Sequence, residues 1–204
     1  MAALTGSLVF IMKRLILFLI ILPFWNCKAQ SPIKSLYNDP QEENGAYYKD
    51  FNNELDTFVG TWKYTNGSTS LTITLKKKVM QFFSDGDVNF YEDILIGEYK
   101  YIENGVEKIN TLSQLLVDKN PYKYNIVGNI FYEKTNKNLQ TNFSDPNREI
   151  QGMTQAMFFD HVNNDPQKLF LTFKMMEGPY TVNDEPLPYT SYTVPFGEYL
   201  LVKQ

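Results

Sequence analysis

The chain has 204 residues, of which 43% are hydrophobic, 15% aromatic and only 21% charged, a balance that suits one packed domain with or without a tail and excludes a disordered polyelectrolyte. Net charge is −4 and moves to −6 once Lys13 and Arg14, the only charged residues of 1–26, are removed. Phosphate binding needs a basic face, so nucleic acid is excluded as a partner. One cysteine and one histidine rule out an intramolecular disulfide and the usual zinc ligand sets, and no cofactor is expected.

Residues 12–27 read Met-Lys-Arg, then LILFLIILPFW, then Asn-Cys. A basic start, an apolar run of roughly a dozen residues and an abrupt polar boundary have the layout of a secretory signal peptide. The run is short of the about 20 apolar residues that a transmembrane helix needs. Residues 1–11 place a second apolar patch before the two charges, so the layout is better if Met12 is the true start. A helix spanning 8–25 would bury Lys13 and Arg14 in the membrane at substantial cost. The predicted signal therefore covers 1–26.

Cys27 follows that run directly. A lone thiol there resembles a bacterial lipoprotein signal, in which the cysteine becomes the acylated first residue and two or three chains give a durable anchor. Phe24, Trp25 and Asn26 depart from the usual Leu at −3 and small residue at −1. Cleavage after Ala29 with plain secretion, and a retained anchor, are the alternatives. Lipid attachment at Cys27 implies a partner membrane at the cell envelope. Lys28 to Ser31 lack an acidic pair resembling a surface-export signal, which favours a periplasm-facing anchor. Residues 27–44, with Pro32 and Pro40 among polar neighbours, are expected to be a tether, and residues 45–204 a single domain.

Leu55, Phe58 and Val59 fall at i, i+3, i+4 and predict one helical turn. Gly60 to Tyr64 then switch to alternation, with Trp62 and Tyr64 on one side of a strand. Leu71, Ile73 and Leu75 alternate with threonines, and Val79 to Phe83 continue in strand-forming residues. The Lys76-Lys77-Lys78 triplet is expected at a solvated strand end or turn. Asp85-Gly86 and Asn104-Gly105 have the chemistry of tight hairpin turns. Leu95, Gly97, Tyr99 and Tyr101 share one strand face, and 106–111, 123–133, 148–160, 167–176 and 195–203 read as further strands. Gly97 and Gly128 are expected at bends or bulges. Residues 111–118 read as another helical turn or two. Eight to ten strands at hairpin spacing predict an all-β fold, an antiparallel up-and-down β-barrel.

Phe58 to Lys63, FVGTWK, resembles the Gly-x-Trp signature that opens the first strand of lipocalins and fatty-acid-binding proteins. The resemblance implies that Trp62 closes one end of a barrel and that a basic residue of the last strand, Lys203 by position, stacks across it. The chain lacks the helix-turn-helix insertion of fatty-acid-binding proteins and any second lipocalin motif. The layout also resembles small uncharacterised secreted proteins and lipoproteins of Bacteroidota, on Cys27 to Gln30 (CKAQ), Asn44 to Trp62 and Gly97 to Gly105.

Catalytic signatures are not found. His161 has no triad around it, since Asp160 points to the opposite face of a strand, and a loop position with a solvent partner is expected. Asp85, Asp87 and Asn89 begin like an EF-hand, but Phe90 stands where Gly is needed and Ile96 where Glu is needed. The neighbours Glu92-Asp93 and Asp184-Glu185 are not a glycosidase pair on adjacency alone. The expectation is a non-enzymatic, lipocalin-like barrel at the envelope that takes a small apolar ligand. The alternative is an interaction or inhibitor module that recognises an envelope protein through Leu187, Pro188, Tyr189, Tyr192 and Phe196 of its Pro-rich loop.

Overall fold

The computed structural model describes residues 32–37, 43–84, 86–131, 138–180 and 187–204. Cys27, the apolar run, Asp85 and the Asp184-Glu185 pair lie outside the described residues. Eleven strands form among them: β1 (Ile33–Ser35), β2 (Tyr47–Lys49), β3 (Gly60–Asn66), β4 (Thr69–Ser84), β5 (Asn89–Glu103), β6 (Val106–Asn110), β7 (Ile126–Phe131), β8 (Leu139–Phe143), β9 (Thr154–Val162), β10 (Asp165–Glu177) and β11 (Gly197–Lys203).

Eight of these close a barrel. β3, β4, β5, β7, β8, β9, β10 and β11 pair antiparallel in chain order, and β11 returns to β3 through Lys203↔Trp62 and Val202↔Lys63. The predicted up-and-down barrel is thus the observed one. Period-two burial drives it, because each strand turns one row of side chains inward. Trp62, Leu71, Ile73, Leu75, Leu95, Tyr99, Met157, Phe159, Leu169, Leu171 and Leu201 are all fully buried and belong to one contiguous cluster. Each such apolar side chain contributes about 1.5–3 kcal/mol on removal from water.

Several details depart from expectation. β8 is an additional strand: LQTNF is short, but Leu139, Thr141 and Phe143 are buried in alternation. β9 begins at Thr154, because residues 150–153 close a turn in which the Met153 amide donates to the Ile150 carbonyl. β6 is a branch rather than a stave, pairing only with β5, and the Asn104-Gly105 turn before it has φ of 51° and 80°, as a type I′ hairpin requires. Gly128 sits at a register shift between β7 and β8, where a Cβ would lie 2.7 Å from the Gln140 carbonyl oxygen. The 111–118 turn appears as a 3-10 helix at Leu112–Leu116, and the first helical turn as one at Leu55–Phe58.

The folded unit starts at Ile33, earlier than Gly45. Part of the predicted tether is therefore structured: Ile33–Ser35 pairs in parallel with β2, which pairs in parallel with β5 through Tyr47↔Tyr91 and Tyr48↔Glu92. It does so because β4 and β5, at 16 and 15 residues, outrun the barrel wall. β3 accompanies β4 only as far as Leu75, and β7 meets β5 only at Leu95–Gly97. Beyond those points the hairpin forms a flap, with β2 and β1 added on the β5 side. The flap has a small core of its own, Ala46, Tyr48 and Phe90, against which Leu36, Phe83 and Val88 pack.

Both barrel ends are stoppered. At the end nearest the flap, Leu55 and Phe58 of the 3-10 turn are fully buried in the main cluster. At the other end, Tyr192, Val194 and Phe196 fold back onto Phe143 and Phe173, with Phe173–Phe196 ring centroids 4.8 Å apart.

Candidate functional site

The richest assembly of polar groups lies where the flap meets the stoppered barrel end. Trp62 is fully buried there and donates from Nε1 to the Phe58 carbonyl at 2.8 Å, fixing the 3-10 turn over the barrel. Lys203 crosses the indole with Nζ 5.0 Å from the ring centroid, within range of a cation–π attraction. Gly60 makes room for it: φ is 142°, and a Cβ at this position would meet the Lys203 Cε at 3.0 Å. Trp62 and Lys203 are therefore brought together, as their positions suggested. His161 is on β9 rather than in a loop, with Nε2 2.9 Å from Thr57 Oγ1 and its ring 4.6 Å from that of Phe58. The 3-10 turn occupies the histidine that a solvent partner was expected to hold.

Above this stopper sits a buried ion pair. Asp50 accepts from the amides of Glu54 and Leu55 at 2.9 Å each and from Lys77 Nζ at 3.0 Å; Lys77 also reaches Asp56 at 3.3 Å. The Asp50 side chain is fully buried and that of Lys77 only 11% exposed. Burial alone would raise the Asp50 carboxyl pKa, but the Lys77 ammonium and the two amides outweigh it and hold it below the usual carboxylate range. Burial likewise disfavours the Lys77 ammonium, and Asp50 and Asp56 overcome it, so its pKa is raised. Lys77 thus belongs to the inner face of β4, not to a solvated strand end. The row Leu71, Ile73, Leu75, Lys77 carried that signal, since period two places the lysine on the buried side.

Asp93 is the second key. One oxygen accepts from Tyr47 Oη at 2.6 Å and from the Met80 amide at 3.0 Å, and the other from the Asp50 amide at 3.0 Å. Burial and then the hydrogen bond to Asp93 push the Tyr47 phenol pKa up. Met80 has φ of 53° at the β-bulge between Lys78 and Gln81, and its amide turns to the carboxylate instead of a neighbouring strand. One carboxylate therefore locks the N-terminal segment to the bulge. The rim it fixes carries exposed Phe51, Val79, Met80 and Phe82, each at least half accessible.

Glu92, its sequence neighbour, faces the opposite side of β5. It accepts from Tyr122 Oη at 2.6 Å and from Asn129 Nδ2 at 2.5 Å. Glu98, fully buried on the same outer face, accepts from Lys119 at 3.2 Å and Asn125 at 2.5 Å. These bonds strap residues 119–129 across the barrel wall. The Glu92-Asp93 carboxylates are thus both engaged in structural bonds. Among the described residues, no three His, Cys, Asp or Glu side chains gather as a metal site.

Of the loop residues nominated above, Tyr192 is buried and donates to Gln155 Oε1 at 2.7 Å, and Phe196 packs on the core. Tyr189 is 42% exposed beneath Arg148, whose guanidinium carbon lies 5.3 Å from the ring. Leu187 and Pro188 line a groove of about 500 Å3 with Glu149 to Gly152. A second groove, of about 390 Å3, crosses the outer face of β3 and β11 at Lys63, Leu200 and Val202.

Residues 12–204 match a family described as a family of unknown function, DUF6705. The chain belongs to that family. Comparison with curated proteins and with solved structures returned no match.

Proposed function

We propose that this member of the family is a non-catalytic envelope module, attached to the membrane by acylated Cys27, that works by binding an envelope protein with its outer surface. The observation that carries the reading is the filled barrel: one buried cluster runs from Leu55 and Phe58 at one end to Tyr192 and Val194 at the other. A lipocalin-like carrier needs a cavity of about 300 Å3 or more for its ligand, whereas here the inward-facing Trp62, Leu71, Tyr99, Met157 and Phe159 have no accessible surface and belong to one packed cluster. The polar groups that chemistry would use are engaged elsewhere: His161 with Thr57, Glu92 with Tyr122, and Asp50 with Lys77. The recognition element is the loop at the end away from the flap, where Leu187, Pro188 and Tyr189 lie beside Arg148. Tyrosine and arginine on a rigid support are the residues that dominate binding surfaces.

A photo-crosslinking residue at Tyr189, introduced in the native host, tests this. A single discrete envelope-protein adduct, lost when Arg148→Glu is added, is the expected result. A crosslinker that captures nothing at Tyr189 contradicts it.

One observation favours the small-ligand alternative. The Tyr99 hydroxyl is buried in the barrel without a hydrogen-bond partner, and a ligand with a polar end would satisfy it.

A further inference from the structure

We infer that the flap-end rim, carrying Phe51, Val79, Met80 and Phe82 with Lys49 and Lys76, rests on the lipid surface beside the anchor. This rests on the proposed acylation of Cys27. Four large apolar side chains are exposed here, at 50–57%, and Ile33 of β1 adds a fifth at 48%. They are not scattered. The Asp93 carboxylate binds the Asp50 and Met80 amides at 3.0 Å each, so the segment bearing Phe51 and the bulge bearing Val79 and Met80 are held at one place. Phe82 joins them through Tyr91, at 5.4 Å between ring centroids, and Tyr91 pairs with Tyr47 of the same segment.

The charge pattern fits a lipid headgroup layer. Lys49 and Lys76 are exposed, and Lys49 Nζ lies 5.7 Å from the Phe51 ring centroid. The acids that hold the rim, Asp50 and Asp93, are buried and hydrogen-bonded, and the exposed Asp56 and Asp118 nearby are each paired with a lysine, Lys77 and Lys78. Exposed aromatic and apolar side chains flanked by lysines are the composition that settles at a membrane interface.

The length of chain selects the occupant. Ile33, where β1 and the flap begin, is six residue steps from Cys27. Fully extended, those steps reach at most about 22 Å at roughly 3.3–3.6 Å per residue. An acylated Cys27 therefore keeps the flap at the membrane, and its apolar rim is the surface that would be left against lipid. The recognition loop, at the opposite end of the barrel, then faces away from the bilayer.

The test places an environment-sensitive fluorophore on the full chain through Phe82→Cys, with Tyr189→Cys as the control, in membranes from the native host. Retained melting behaviour shows that each labelled variant folds. The expected result is loss of fluorescence at 82, and none at 189, when nitroxide-bearing lipid is added, with iodide quenching only 189. A membrane-bound protein whose label at 82 is quenched by iodide and not by lipid overturns the inference while leaving the anchor intact. A label at 82 shielded from both quenchers also overturns it, because a protein then covers the rim. Absence of the protein from the membrane fraction, in the same state as a Cys27→Ser form, overturns the anchor and the inference together.

Discussion

Lys77 of β4 donates to Asp50 at 3.0 Å, joining the base of the flap to the segment that precedes the first stave of the barrel. The pair is nearly dry, and its two charges are satisfied by each other, by two backbone amides and by Asp56. Removing one partner leaves the other as an uncompensated charge. Lys77→Ala should cost about 3–5 kcal/mol in denaturant melts. Asp50→Asn should cost a comparable amount, because its one amide oxygen can serve Leu55 or Glu54 but not both, its NH2 group faces the other amide, and Lys77 loses its counter-charge. A loss under about 1 kcal/mol for Lys77→Ala, the range of an exposed pair, would place the ion pair in solvent.

The same pair sets a pH dependence. The Asp50 pKa is lowered in the folded protein, so the unfolded chain binds its proton first as pH falls. Its contribution is whole above the unfolded value of about 3.9 and disappears as pH drops through the lower, folded value. For Lys77 the shift is upward, so its contribution is whole below about 10.4 and is lost as pH rises through the folded value. Melts across pH should therefore show an acid loss that Asp50→Asn reduces and an alkaline loss that Lys77→Met reduces. An acid limb of equal steepness in wild type and Asp50→Asn contradicts this assignment.

Much of this architecture is legible in the amino-acid sequence. Alternation at Leu71–Leu75 and Leu95–Tyr101 and the Asn104-Gly105 turn follow from local rules, side-chain period and positive φ, whereas the pairing of Trp62 with Lys203 is what the resemblance to the Gly-x-Trp families implies. The polar site was hidden because it is assembled over distance. Asp50 and Lys77 are 27 positions apart, and Tyr47 and Asp93 are 46. No spacing pattern announces such pairs. β8 is illegible in the sequence for a different reason: five residues are too few for a period to stand out, and the strand is set by Ile126↔Phe143 and Leu139↔Phe159 pairing. β1 exists only because β5 outruns the barrel and offers an edge.

Trp62 and Lys203 should rank very differently. Trp62→Ala empties the buried space beneath the 3-10 turn and removes the bond to the Phe58 carbonyl, at about 3–5 kcal/mol. Lys203→Ala removes a cation–π contact of about 0.5–2 kcal/mol. Equal losses in paired denaturant melts would mean that the lysine, not the indole, holds the end shut.

Asp93→Ala should cost more than its single side chain suggests. It leaves the Asp50 and Met80 amides and the Tyr47 hydroxyl without their partner, at about 1–3 kcal/mol for each group that stays buried. Amide exchange should speed at Asp50 and Met80 before it does in β9 or β10. Unchanged protection at Met80 would show that its amide is held by something other than the carboxylate.

The unpartnered Tyr99 hydroxyl separates a filled scaffold from a ligand carrier. Tyr99→Phe removes a buried group with no hydrogen bond, so stability should be unchanged or rise by about 1 kcal/mol. A loss of more than about 1 kcal/mol in the protein purified from its host would reveal a partner for that oxygen.

Native mass spectrometry of the protein, purified from its own host without delipidation, tests the filled barrel most directly. The predicted spectrum is that of the polypeptide with the acyl chains proposed at Cys27 and nothing else, before and after Tyr99→Phe. A stoichiometric apolar molecule that stays bound through purification and leaves only on unfolding would contradict the filled interior and return the protein to the carriers.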